Sequence, residues 1–81
     1  MIGYRSVRVV TIGSADITFD SPVTVRAASA GNLDITDSSG HTSDFDGLSA
    51  GDDIVGPGDG LVFVKTIRGT STVTSAIVGM M

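Results

Sequence analysis

Short apolar runs that alternate with polar residues, separated by clusters of turn residues, make up most of this 81-residue chain. Side chains along a β-strand point to opposite faces with a period of two, so each run predicts a strand with one buried face. We therefore predict an all-β fold: a small single-domain β-sandwich or partly open β-barrel of about seven or eight short strands. Residues 1–5 are predicted to be an N-terminal tail.

The alternation predicts both the strands and the residues that they bury. The early strands are predicted at residues 6–12, 17–19, 23–28, 32–36 and 41–46. The residues predicted to point inward are Val23, Val25, Ala27, Leu33 and Ile35, with Phe45 as a further apolar anchor.

Turn residues predict where these strands end. Asp20-Ser21-Pro22 is predicted to end the strand before it, because proline has no amide hydrogen for a β-ladder. Asp37-Ser38-Ser39-Gly40 is predicted to be a turn, because aspartate can accept a bond from the backbone two residues on and Gly40 can adopt positive φ.

The last third of the chain, Leu61 to Met81, has the strongest strand signal. Two runs rich in Val, Ile, Phe and Thr flank Gly69, which predicts a terminal hairpin. Alternation places Leu61, Phe63 and Ile67 on one face of the first run, so we expect Phe63 to be in the core.

Composition favours β structure and association with other chains. Val, Ile and Thr number 26, whereas Leu numbers 3 and Glu is absent. A lone domain below about 80 residues rarely gains more than ~3–5 kcal/mol from its core. The chain has no cysteine and one histidine, so neither disulfides nor a structural zinc site can compensate. We therefore expect a homo-oligomer, or docking on a larger assembly.

Charge and hydropathy exclude several classes of partner. The net charge is −4, and the basic residues are dispersed apart from Arg5 and Arg8. Nucleic acid and anionic membranes are therefore not predicted partners. Apolar runs are too short to span a bilayer, and the N-terminus does not look like a signal peptide, so we expect synthesis in the cytoplasm.

Few residues suggest chemistry. His41 is near Ser39 and Ser43, but no nucleophile-elbow pattern is present, and an exposed turn histidine is the simpler interpretation. Asp37, Asp44 and Asp46 suggest calcium, but too few oxygen ligands are assignable.

The glycine-rich loop at 56–60 lacks the helix and lysine of a phosphate loop. We therefore predict no catalytic, cofactor-binding or metal-binding residues, and no enzymatic activity. Tyr4, Arg5 and Arg8 are candidate partner contacts, because Tyr and Arg are favoured at interfaces, although a solvated terminus is the simpler interpretation.

The segment from Val25 onward resembles small β proteins of tailed phages and gene transfer agents. The matching stretches are Ala30-Gly31-Asn32-Leu33, Gly40, Ile67-Arg68-Gly69-Thr70-Ser71-Thr72 and Ile77-Val78. They look like the head-spike base proteins of gene-transfer-agent-like particles. The chain departs from that pattern in its glycine-rich loop and shorter N-terminal arm.

The resemblance implies a virion protein on the capsid exterior, either a decoration (cement) protein or a head-spike base. Its implied partners are the major capsid protein, copies of itself and a spike or fibre protein. A tail or baseplate component stays open, as does a small cellular ligand-binding β module. A sugar-binding module usually stacks Trp or Tyr on its ligand, whereas this chain has no Trp and one Tyr.

Overall fold

The computed structural model describes residues 6–56 and 60–80, and this part of the chain is all-β, as predicted. It contains six strands rather than seven or eight. They are β1 (Ser6–Thr11), β2 (Ile17–Ala27), β3 (Gly31–Asp37), β4 (Thr42–Leu48), β5 (Val64–Ile67) and β6 (Ser75–Met80).

The strands form one open antiparallel sheet in the order β1-β6-β2-β5-β3-β4. The long strand β2 belongs to two halves of this sheet. Its first part pairs with β5, and its second part, from Thr24 to Ala27, pairs with β6. Residues 51–54 lie along the other side of that second part, where Ala27 N donates to Asp52 O at 2.8 Å. Among the described strands, β1 and β4 are therefore the two edges.

One apolar cluster joins the two halves of the sheet. The inward residues predicted from alternation are buried, with Leu33, Ile35 and Ala27 fully covered. Phe45 packs against the cluster but is only half-buried. The buried set is Ile12, Phe19, Val23, Val25, Ala27, Leu33, Ile35, Ile54, Val64, Ile67, Val73, Ala76 and Val78.

The prediction that Asp20-Ser21-Pro22 ends a strand was wrong. β2 runs through these residues, and its register against β5 shifts between Thr18 and Val23. An irregularity of this kind accommodates a residue without an amide hydrogen. Two predicted strands thus become one, which accounts for part of the lower strand count.

The predicted terminal hairpin was also wrong. β5 and β6 do not pair with each other, because β2 lies between them. The connecting residues 68–74 instead run beside the start of β3. Arg68 N donates to Asp34 O at 2.7 Å, and Thr72 N donates to Asn32 O at 3.0 Å. The alternating Thr and Ser of this segment bond to β3 rather than form a hairpin strand.

The prediction that Phe63 lies in the core was wrong, because this residue is 38% exposed. A β-bulge in β5 explains the difference. Thr66 and Val64 lie opposite adjacent residues of β3, so Lys65 is the extra residue between them. The bulge breaks the period of two, and Val64 and Ile67, three residues apart, are both fully buried. Simple alternation could not place them on one side.

The connecting segment is held on both sides by close backbone approaches. A Cβ on Gly69 would collide with Ser14 O, and one on Gly31 would lie 2.7 Å from Thr72 Oγ1. Gly69 N also donates to Asp16 Oδ1 at 2.7 Å. Only glycine allows the chain to cross at these two points.

The turn after β3 agrees with its prediction. Asp37 Oδ1 accepts hydrogen bonds from Ser39 N at 2.9 Å and His41 N at 3.0 Å. Gly40 has φ of 92°. The aspartate and the glycine each have the role that the sequence pattern indicated.

We expect Gly69→Ala to lower the free energy of unfolding by about 1–3 kcal/mol or more, because its Cβ has no room beside Ser14 O. Gly13→Ala is the matched control, since it lies in the same crossing region and its Cβ would meet nothing within 4 Å. Urea unfolding of both variants measures the difference. Equal stability of the two would contradict the close approach at Gly69.

We expect Phe63→Ala to cost less than about 1.5 kcal/mol, because this side chain already faces solvent in part. Ile67→Ala, at a fully buried position, should cost about 2–5 kcal/mol. Chemical denaturation of the pair tests the bulge. A larger loss for Phe63 than for Ile67 would restore simple alternation.

Candidate functional site

The sheet half formed by β1, β6 and β2 has one face turned away from the core, which we call the outer face. Cross-strand pairing places Val9 beside Ile77, and Ile77 beside Arg26. A second row places Val7 beside Gly79. The residues of these rows alternate with core residues such as Val78 and Ala76, so the outer face is a direct product of the strand period.

This face is apolar at its β1 end and exposed there. Val7 is 57% and Val9 67% exposed, whereas Ile77 is half-buried. Since Gly79 has no side chain, a shallow cavity of about 150 Å³ opens between the strands. Its lining residues are Val7, Thr24, Arg26, Asp53, Ile77 and Gly79.

An ion pair borders the cavity on the β2 side. Arg26 Nε donates to Asp53 Oδ1 at 3.0 Å, and Arg26 Nη2 donates to Asp53 Oδ2 at 3.2 Å. The two residues are cross-strand partners, because residues 51–54 extend this half of the sheet. Both side chains are substantially exposed, so the pair contributes at most about 1 kcal/mol to stability. Its main effect is to place a fixed polar group next to an apolar surface.

Of the three predicted partner contacts, the structure describes only Arg8. Tyr4 and Arg5 lie outside the described residues. Arg8 is exposed on β1, opposite Val78, and alternation places it on the other face from Val7 and Val9. It therefore lies at the edge of the sheet rather than on the outer face.

The residues considered for calcium do not converge. Asp37 caps its own turn, whereas Asp44 Oδ1 accepts a hydrogen bond from Asn32 Nδ2 at 3.1 Å. Within residues 6–56 and 60–80, no three His or carboxylate side chains form a group that could hold a metal ion. The side chain of His41 is 80% exposed, with Nδ1 3.9 Å from Asp37 Oδ1. His41 is thus an exposed turn histidine, the simpler of its two interpretations.

A cluster of hydroxyl and carboxylate groups beside β3 resembles a binding site, but its side chains are hydrogen-bonded to β3 itself. Ser71 Oγ accepts from Asp34 N at 2.9 Å, and Thr72 Oγ1 accepts from Asn32 N at 2.8 Å. Thr70 donates to the Asp34 carboxylate. These side chains complete the backbone bonding of an irregular segment. Across the described chain, no buried side-chain nitrogen or oxygen lacks a partner.

The remaining candidate, the glycine-rich loop, is described only in part. Gly56 N donates to Gly60 O at 2.7 Å, and the next strand is β5, so no helix follows the loop. Residues 57–59 lie outside the described chain. The described residues also contain no helix of the length and hydropathy needed to cross a membrane.

Comparisons with protein-family models, curated proteins and solved structures find no match for this chain. The fold defines the class directly: a small all-β domain built on one open antiparallel sheet. The outer face is its most distinctive surface. Sequence reasoning did not identify this face, although one signal was present, because the first strand carries valines on both of its faces.

We expect chelation to leave the melting temperature unchanged, because Asp37 and Asp44 already bond to amide groups of the protein. Thermal melts with and without EDTA measure this. A fall of several degrees on chelation would show that bound metal stabilises the fold. Asp37→Asn and Asp44→Asn would then identify the ligands.

Proposed function

We propose that this protein is a non-enzymatic structural component of a tailed-phage virion or a related particle. In this proposal it binds the exterior of the capsid, as a decoration (cement) protein or as the base of a head spike. Two independent considerations support it: the resemblance from Val25 onward, and the exposed apolar outer face. The observation that carries the proposal is the exposure of Val7 and Val9 on a regular sheet.

The outer face has the arrangement expected of a docking surface. Binding surfaces are commonly apolar at the centre and polar at the rim. Here Val7, Val9 and Ile77 supply the apolar part, and the Arg26–Asp53 pair supplies a polar border. The site is small for one copy, but a decorating protein is repeated over a lattice, and neighbouring contacts raise its effective concentration. The major capsid protein is the proposed partner.

The cavity itself favours docking over small-molecule binding. Ligand pockets typically enclose about 300–1,000 Å³. The cavity beside Gly79 is about 150 Å³, and it is open to solvent. A protruding side chain of a protein partner suits this shape better than a free metabolite does. A tail or baseplate component remains the alternative within the virion class.

We expect particles that lack this protein to assemble but to break at lower temperature. Deleting the gene and comparing particle melting with the wild type tests the role, and quantitative mass spectrometry gives the copy number. Abundant copies with a lowered melting point support decoration. Few copies with unchanged melting indicate the spike base, to which a spike or fibre protein would attach. Copies found only on tails contradict capsid binding.

A charge on the outer face should prevent binding without unfolding the protein. We expect Ile77→Asp to reduce binding of the purified protein to deleted particles by about tenfold or more, because it buries a carboxylate in an apolar contact. Thr42→Asp, on the opposite edge strand, is the matched control. Circular dichroism melts of both variants verify folding. Unchanged binding of a folded Ile77→Asp variant would exclude the outer face.

A further inference from the structure

Towards its open edge, β1 presents a regular set of backbone groups that bond to no strand within residues 6–56 and 60–80. Ile12 N donates to Thr74 O at 2.9 Å, and these residues continue the β1–β6 register. Antiparallel pairs alternate between hydrogen-bonded and non-hydrogen-bonded. Val10 and Arg8 therefore bond to β6, so the N–H and C=O groups of Val7, Val9 and Thr11 point to the open edge. The same three residues carry the exposed side chains of the outer face.

We propose that β1 is a two-fold interface, through which two copies of this protein pair antiparallel with Val9 opposite Val9 of the second copy. In this register Val7 lies opposite Thr11 of the second copy, and Thr11 opposite Val7. All three outward residues of each strand then form hydrogen-bonded pairs. The outer faces of the two copies merge into one surface, with an apolar stripe running from Ile77 through both Val9 residues to the second Ile77.

Side chains select this register over its neighbours. A shift of two residues one way places Arg8 opposite Arg8, and like charges directly opposite are destabilising. The opposite shift leaves Val7 beyond the paired strand and reduces three hydrogen-bonded pairs to two. Pairing centred on Val9 avoids both losses and joins apolar side chains on the outer face.

The second edge of the sheet does not offer an equivalent partner. Asp37 N donates to His41 O at 2.8 Å, so alternation points the backbone groups of Thr42 and Asp44 outward on β4. A β1–β4 contact between copies would place an apolar valine beside the Asp44 carboxylate. Charged side chains on an edge strand oppose such pairing. Of the two edges, β1 is therefore the one that suits antiparallel pairing with its own copy, because its outward residues Val7, Val9 and Thr11 carry no charge.

The inference deepens the proposed function, and it rests on that proposal only for the role of the dimer on a particle. The association itself is tested on the purified protein. Sedimentation equilibrium at micromolar concentration should show a dimer or an even-numbered assembly. A monomer throughout the accessible range, or a trimer or pentamer, would overturn the two-fold interface.

Proline substitution separates edge pairing from folding. Val9→Pro removes an N–H that points to the open edge, and edge strands tolerate proline. We expect the dissociation constant of the dimer to rise by about tenfold to a hundredfold, because two symmetry-related hydrogen bonds are lost. Thr42→Pro removes an outward N–H from β4 and should leave dimerisation unchanged. Equal effects of the two prolines contradict the interface at β1.

Cysteine cross-linking tests the register, since the natural chain has no cysteine. A hydrogen-bonded pair holds its Cα atoms about 5.5 Å apart, within disulfide range. Val9→Cys should therefore oxidise to a covalent dimer. Val7→Cys should oxidise far more slowly, because the two copies of residue 7 lie about 13 Å or more apart. Faster cross-linking through residue 7 would overturn the register.

The two proposals can fail separately. Dimerisation through Val9 together with no binding to deleted particles would leave the interface in place and remove the capsid role. Binding of a strictly monomeric protein to particles would support the capsid role and remove the two-fold interface.

Discussion

The fold depends on the crossing of residues 68–74 between the turn before β2 and the start of β3. Gly69 meets the Ser14 carbonyl there with no space for a side chain, and Gly31 meets Thr72 on the other side. This crossing sends the chain from β5 past β2, so that β6 forms on the far side of that strand. A tight hairpin after β5 would have left β1 and the second part of β2 without the strand that joins them.

The outer face is a consequence of that crossing. β6 supplies the middle row of the face, and its Gly79 creates the cavity between Val7 and Thr24. Residues 51–54 then complete the border by pairing with β2, which fixes Asp53 next to Arg26. On β6 and β2 the residues of this face alternate with the buried Val78 and Val25, so the middle of the face is fixed to the core.

The sequence predicts well what local chemistry determines. Leu33 and Ile35 are buried as alternation indicates, and Asp37 closes the turn that its type favours. The prediction for Phe63 was wrong because Lys65 is an extra, bulged residue in β5, so the residues before it point to the opposite face from the one that alternation predicts. The prediction of a terminal hairpin was wrong because the serine and threonine side chains after Gly69 bond to β3. These contacts join residues more than thirty positions apart. Neither effect has a local signature. The outer face likewise required the strand order.

The aspartates of this chain stabilise turns and connections as well as setting the surface charge. Asp16, Asp37 and Asp52 each accept a bond from a backbone N–H, so the net charge of −4 follows partly from turn chemistry. Like-charged copies repel at long range, and physiological salt screens that repulsion beyond about 8 Å. Contact must then come from short-range groups. β1 carries Arg8 and no carboxylate, whereas β4 carries Asp44 and Asp46. A contact between two β4 strands would therefore bring the carboxylates of both copies together, whereas a contact between two β1 strands brings none.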